Sequence, residues 1–214
     1  MFFFKISQLS LFQNIRRSWN KYTYVHPVGS KWIYEIVFFF TFSIGVTLWQ
    51  YLVMLFLPYA FAPLAGIEFV WPNVSYTWFD GATLTWGIFN EPVKIDATTG
   101  LVSIGGGLGN FIAFEIAVFT AQCINFPLQR NITFKSHGNP LWQAMWYFIG
   151  WILISISVNA LWGFINPILI HYLGHIENIK VFTDLLKTFI TGFVSMVIFF
   201  FIFKIIFKDK QKKN

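Results

Sequence analysis

Charge is scarce in this chain. Asp, Glu, Lys and Arg make up only 11% of its 214 residues, against roughly a quarter in an ordinary soluble domain, which excludes a globule surrounded by water. Cysteine is almost absent, and the single Cys123 allows no intrachain disulfide and no cysteine metal cluster. Histidine offers no metal site: His171 and His175 are four apart, but Gly174 intervenes and no third ligand is evident, so both read as interfacial histidines. The glycines at 105–107 lack the Lys-Ser/Thr that a phosphate loop requires, and read as a hinge or tight turn. No Ser/His/Asp set and no close carboxylate pair in an acid/base setting is found, so an enzyme is not expected, nor a cofactor or metal. The formal charge of +6 is concentrated in the tails, which suits membrane orientation and anionic lipid and not nucleic acid.

What the chain has instead is grease. Hydrophobic residues make up 56%, aromatic residues 21%, and mean hydropathy is +0.60. The expected fold is an all-α integral membrane protein: a four-transmembrane-helix bundle with an N-terminal amphipathic helix and a long aromatic outer loop. Spans are expected at about 34–57, 108–129, 141–165 and 182–207, each matching the roughly 20 apolar residues that cross a bilayer. Residues 1–33 are not a cleavable signal, because Phe2, Phe3 and Phe4 precede the basic residues and no small-residue cleavage site follows. Leu9, Phe12, Ile15 and Trp19 lie near one helical face with Arg16, Arg17 and Lys21 interleaved, which suggests a helix on the inner membrane surface or else a disordered basic tail. Glu35 is expected to be solvated near the cytoplasmic mouth.

The loop 58–107 carries Glu68, Asp80, Glu91 and Asp96 against one Lys94, so it belongs outside. Its Trp71, Tyr76, Trp78, Phe79 and Trp86 are expected to pack on the outer membrane surface or over the bundle. Residues 93–104 read as a small hairpin around Thr98, Thr99 and Gly100. The basic connection 130–140 and the basic tail 208–214 belong inside. The expectation is a multi-pass plasma membrane protein with both termini cytoplasmic.

Each expected span has a polar stripe. In the second, Glu115, Gln122, Asn125 and Gln129 recur at offsets of seven, three and four, which places them on one helical face. Such groups are costly in hydrocarbon, so they turn toward other helices or a wet cavity. Interhelical hydrogen bonding and a substrate path both remain open as readings. The first span has Ser43, Thr47 and Gln50, and the third has Ser155, Asn159, Trp162 and Asn166, with Pro167 ending or kinking the helix. The fourth has Asp184, Thr188, Thr191 and Ser195, with Lys187 positioned to pair with Asp184 in its own helix or with Glu115 across the bundle. Gly45, Gly150, Gly163 and Gly192 would allow close helix approach. The stripes are expected to share one interior, in a single protomer or a homodimer. The candidate binding residues are Glu115, Gln122, Asn125, Gln129, Arg130, Asn159 and Lys187.

The run from Asn125 and Phe126 through Arg130 to Phe134 resembles the Asn-Phe-x-x-x-Arg-x-x-x-Phe signature that closes the second span of GtrA-like membrane proteins. Lys204 and Phe207 resemble the basic residue and final aromatic of that family's last span. The acidic loop is longer than the family's compact form, and Pro127 is not its usual filler. The resemblance implies a four-span protein that flips a polyprenyl-phosphate-linked sugar to the outer leaflet, for glycosylation of envelope polysaccharide or teichoic acid. A membrane glycosyltransferase is then the expected partner, beside the lipid bilayer. On that reading Arg130, with Lys135 close by, holds the lipid phosphate, and Gln122, Asn125 and Gln129 hydrogen-bond sugar hydroxyls. Two other readings stay open: a small proton-coupled exporter of amphipathic compounds that uses Glu115, and a non-transporting anchor for a glycosyltransferase.

Overall fold

A computed structural model of the protein describes residues 2–176, 182, 183, 186 and 190–208. Asp184, Lys187 and Thr188 of the expected fourth span lie outside the described residues. Helix α1 (Phe2–Val25) runs almost directly into α2 (Pro27–Met54), and only His26 leaves helical geometry, with φ −128° and ψ 67°. Pro27 explains the break, since a residue before proline is pushed out of the helical region while proline itself starts a helix well. A short α3 (Leu57–Ala60) and a 3₁₀ turn (Ala62–Leu64) lead into four strands, β1 (Phe69–Trp71), β2 (Val74–Thr77), β3 (Thr83–Trp86) and β4 (Phe89–Glu91). Then come α4 (Gly107–Leu128), α5 (Pro140–Leu173) and α6 (Ser195–Ile206).

Among the described residues three helical stretches are long and apolar enough to cross a membrane: Pro27–Ala60, Gly107–Thr133 and Pro140–Leu173. Among the described residues the last apolar helix is shorter, Gly192–Ile206. The third stretch differs from expectation, because α5 continues through Pro167 to Leu173. A proline within a helix frees the carbonyl four residues before it, and here that residue is Gly163. At Gly163 the β segment abuts α5 so closely that a Cβ would run into the Gly87 carbonyl oxygen. Trp86 also donates its indole N–H to the Ala160 carbonyl at 3.0 Å. This buttress lies alongside the turn that proline weakens.

The expectation of an all-α chain with one small hairpin misses β1–β4. They form a nested antiparallel ribbon in which β1 pairs with β4 and β2 with β3, with Trp71 opposite Phe89 and Val74 opposite Trp86. Its tip is closed by Trp78 N–H to the Ala82 carbonyl at 2.8 Å, with Gly81 at φ 87°. The expected hairpin is also present: Ile95 bridges Val102, and the Asp96 carboxylate accepts from the amides of Thr98 and Thr99 at 2.8 and 2.9 Å. The glycines that follow make a tight turn. Gly107 has φ +66°, and a Cβ there would strike the Ala65 carbonyl oxygen. The amides of Gly107 and Leu108 donate to Pro92 and Ile67 carbonyls at 3.0 and 2.7 Å, supplying partners that a helix start otherwise lacks.

Helices α2 and α4 pack antiparallel. The contact face of α4 is a row at four-residue spacing in which Gly109, Ala113, Ala117, Ala121, Asn125 and Gln129 are all buried. Small side chains in such a row let two backbones approach closely. Cross-links follow the same order: the Trp49 indole donates to Thr120 Oγ1 at 3.2 Å, and the Tyr34 hydroxyl donates to the Ile132 carbonyl at 3.1 Å. Of the four glycines expected to let helices approach, Gly150 meets Ile202 of α6 at ordinary van der Waals distance, and the close approach at Gly163 is to the Gly87 backbone of the β segment and not to a helix. Among the described residues Gly45 and Gly192 face open space. In the stripe on α2, Thr47 donates to the Ser43 carbonyl of its own helix at 2.9 Å. Near the other end of the helices, α2, α5 and α6 close on an aromatic core of Phe39, Tyr147, Phe200, Phe203 and Phe207, with Tyr147 stacked on Phe203 at 4.2 Å.

Candidate functional site

The amides that share one face of α4 meet a partner on α5. Gln129, fully buried, donates to the Phe39 carbonyl at 3.3 Å and to Asn125 Oδ1 at 3.1 Å. Asn125 donates to the Tyr147 hydroxyl at 2.9 Å, and Tyr147 donates to Gln122 Oε1 at 2.8 Å. The result is a hydrogen-bond ladder that ties α2, α4 and α5 together. Gln122, Asn125 and Gln129 are therefore neighbours, as their spacing predicts. Glu115 lies two turns toward the β segment, half-buried and with no hydrogen bond or ion pair among the described residues. Asn159 lies three turns beyond Tyr147, about 18 Å along α5. Lys187 lies outside the described residues.

Arg130 sits on a π-helical turn, Gln129–Thr133, that follows Pro127 and Leu128. Its Nε donates to Gln143 Oε1 at 2.9 Å, its Nη1 to Asn131 Oδ1 at 2.6 Å and its Nη2 to the Gly138 carbonyl at 2.8 Å. Gln143 in turn donates to Ser136 Oγ at 2.7 Å and to the Ile206 carbonyl at 3.4 Å. Asn139 then caps α5, its Oδ1 accepting from Leu141 and Trp142 amides. The guanidinium thus braces the connection between α4 and α5 and, through Gln143, reaches α6. Phe126 packs edge-on against Tyr147 at 5.2 Å, and Phe134 lies 5.4 Å from Phe207. All four residues that define the Asn-Phe-x-x-x-Arg-x-x-x-Phe pattern point inward.

Beside this brace opens a cavity of about 1380 Å³. Helix α2 contributes Lys31, Tyr34 and Glu35, α1 contributes Trp19 and Thr23, the α4–α5 connection contributes Thr133, Lys135 and His137, and the end of α6 contributes Lys204 with Lys208 just beyond it. Four lysines and one carboxylate, Glu35, therefore line the cavity. Lys135 holds a left-handed backbone, φ 49°, unusual for a residue with a Cβ, and its Nζ lies 4.3 Å from the centre of the Tyr34 ring. Glu35 corrects the expectation of a solvated carboxylate. It is 3% exposed, salt-bridged to Lys204, and 3.9 Å from Lys31 Nζ. The Lys204 ammonium also sits 3.0 Å from the centre of the Trp32 ring. Thr133 is 1% exposed, and its hydroxyl has no hydrogen-bond partner among the described residues. Arg130, the expected phosphate ligand, does not line this cavity.

At the opposite end the ribbon is fastened to α5 by the Trp78 indole, which donates to the Tyr172 hydroxyl at 2.9 Å, and by an Asp80–His171 pair at 2.6 Å. The bond from His171, then the Ala82 amide, hold the Asp80 carboxyl below its ordinary range. A carboxyl lowered by folding contributes stability that is complete above its unfolded value and is lost as pH falls through the lowered one. Acid titration from pH 6 to 2 should therefore loosen the ribbon below the ordinary aspartate range, visible as a change in tryptophan emission. Asp80→Asn should already show the acid-side signal at pH 6, and an unchanged titration in that variant would show that this pair does not fasten the ribbon. Among the described residues no three metal-binding side chains gather.

Together these features define a helical protein with three helices fit to cross a membrane, which points to a membrane-embedded protein, and with a basic cavity at one end. No family model, curated protein or solved structure matches the chain.

Proposed function

We propose that the protein binds the phosphate of a polyprenyl-phosphate-linked sugar in its basic cavity and translocates that lipid across the plasma membrane. The observation that carries this reading is the cavity itself, which Lys31, Lys135, Lys204 and Lys208 line together with one carboxylate, Glu35. Ammonium groups bind phosphate through charge-assisted hydrogen bonds, and the buried Thr133 hydroxyl offers a further donor. The phosphate-holding role passes from Arg130, whose guanidinium is engaged, to Lys135 and Lys204. The sequence resemblance around Asn125 to Phe134 points to the same substrate class. Basic residues collect at this end and acidic ones at the ribbon end, which under the positive-inside pattern supports a cytoplasmic cavity. On this reading the expected span at about 182–207 is the fourth, both termini lie inside, and a membrane glycosyltransferase consumes the product outside.

The test is reconstitution into liposomes with a labelled polyprenyl-phosphate sugar, reading its accessibility in each leaflet. The wild-type protein should exchange the lipid between leaflets. Lys135→Ala combined with Lys208→Ala should slow exchange about tenfold or more, since one charge-assisted bond is worth roughly 1.5 kcal/mol or more. Exchange no faster than in protein-free liposomes would end the proposal.

A further inference from the structure

The cavity already contains an anion. Glu35 is 3% exposed and its two oxygens are shared between Lys204 and Lys31. Lys204 is itself only 25% exposed at its side chain and is pressed against Trp32. The most enclosed ammonium of the cavity is therefore paired with a group of the chain itself. We infer that Glu35 is an internal competitor for the phosphate site: an incoming headgroup must take Lys204 from Glu35, and Glu35 retakes Lys204 when the headgroup leaves. This rests on the reading of the cavity as a phosphate site and adds the device that sets its affinity and release.

The geometry gives the exchange a route. Lys31 lies on the same helix four residues earlier, 73% exposed at its side chain, and already stands 3.9 Å from Glu35. When phosphate draws Lys204 away, Lys31 can close that gap, so Glu35 is not left as a lone buried charge, which would be severely unfavourable. Lys135, from the α4–α5 connection, meets the same phosphate from the other wall. No covalent step is involved, only an exchange of ion pairs. A site that is competent only while its lysine is free binds more weakly by that fraction. Relieving the competition should therefore tighten binding and slow release, a division that loss of a merely structural contact does not produce.

Glu35→Gln keeps the shape and a hydrogen-bond acceptor but removes the charge. Geranyl phosphate, titrated into the detergent-solubilised full chain, should bind this variant about tenfold more tightly than the wild type if Lys204 is free roughly a tenth of the time. In liposomes the variant should reach half-maximal transport at lower lipid concentration but with a lower maximal rate. Glu35→Asp, which keeps the charge on a shorter arm, should fall between the two and serves as the measurement if the glutamine variant does not fold. Inorganic phosphate is titrated in parallel: tightening toward geranyl phosphate alone assigns the site to a lipid headgroup, and equal tightening toward both assigns it to phosphate as such. Either result supports the competition. Wild-type binding with unchanged or weaker binding in both variants overturns Glu35 as competitor and leaves the cavity reading standing. No binding of either probe to any form removes both.

Discussion

Arg130→Ala should lose about 2–4 kcal/mol of stability, as expected when several charge-assisted hydrogen bonds are cut and their acceptors are left without a donor. The guanidinium holds Gln143, Asn131 and the Gly138 carbonyl at 2.6 to 2.9 Å. Removing it leaves Gln143 Oε1 and the Gly138 carbonyl unserved, and Gln143 is buried. Gln143 also carries the tie to the Ile206 carbonyl, so the damage should spread to the end of α6. Arg130→Lys should recover little, because an ammonium cannot reproduce a planar fork aimed at three acceptors. Thermal unfolding in detergent measures the loss. Geranyl phosphate affinity, measured well below the unfolding transition, should move by less than about threefold, since Arg130 does not line the cavity. A variant as stable as the wild type that no longer binds the ligand would return the phosphate role to Arg130.

That reassignment shows which parts of the chain were legible. Helices α2, α4 and α5 could be read because apolar runs of bilayer length are a property of the local sequence, and their starts carry local signals: Pro27, Gly107, and Asn139 before Pro140. The shared face of Gln122, Asn125 and Gln129 followed from helical spacing alone. The ribbon was missed although its signal was present. Asp80 and Gly81 stand between two short runs rich in β-branched and aromatic residues, VSYT and TLTW, which is a hairpin pattern. The aromatic content of that loop suggests packing on the outer membrane surface or over the bundle and does not by itself signal strands.

The rest depended on contacts between residues far apart in the chain. Lys204 and Glu35 are separated by 169 positions and Tyr34 and Ile132 by 98, and no periodicity reports such pairs. The same is true of Gln143 and Tyr147, the two α5 residues that accept the motif's Arg130 and Asn125. Neither stood out in sequence, because a single glutamine or tyrosine in an apolar helix carries no pattern. One retrospective signal exists: they are four apart on α5, so they share a face, just as Asn125 and Gln129 do on α4. Polar pairs at matching intervals on two antiparallel helices are what a cross-helix ladder requires.

The two readings that the amide stripe leaves open predict different outcomes at the ladder. If Asn125 and Gln129 line a path for sugar hydroxyls, replacing them leaves the fold intact and abolishes transport. If they fasten helices, Asn125→Ala should cost about 2–3 kcal/mol, because it removes the donor to Tyr147 and the acceptor for Gln129 inside a packed interior where unsatisfied groups are expensive. The geometry favours fastening: Gln129 is 0% exposed and Asn125 is 6% exposed, and both point at protein partners. Tyr147→Phe separates ring from hydroxyl, since it keeps the stack on Phe203 and deletes only the group between Asn125 and Gln122. Unfolding of the two single variants and the double variant should then show a coupling of about 1 kcal/mol between positions 125 and 147, the range expected for residues in one hydrogen-bond network. Additive losses would mean that the two side chains do not work as a pair, and intact stability with lost transport in Asn125→Ala would move the substrate route from the basic cavity into the middle of the helices.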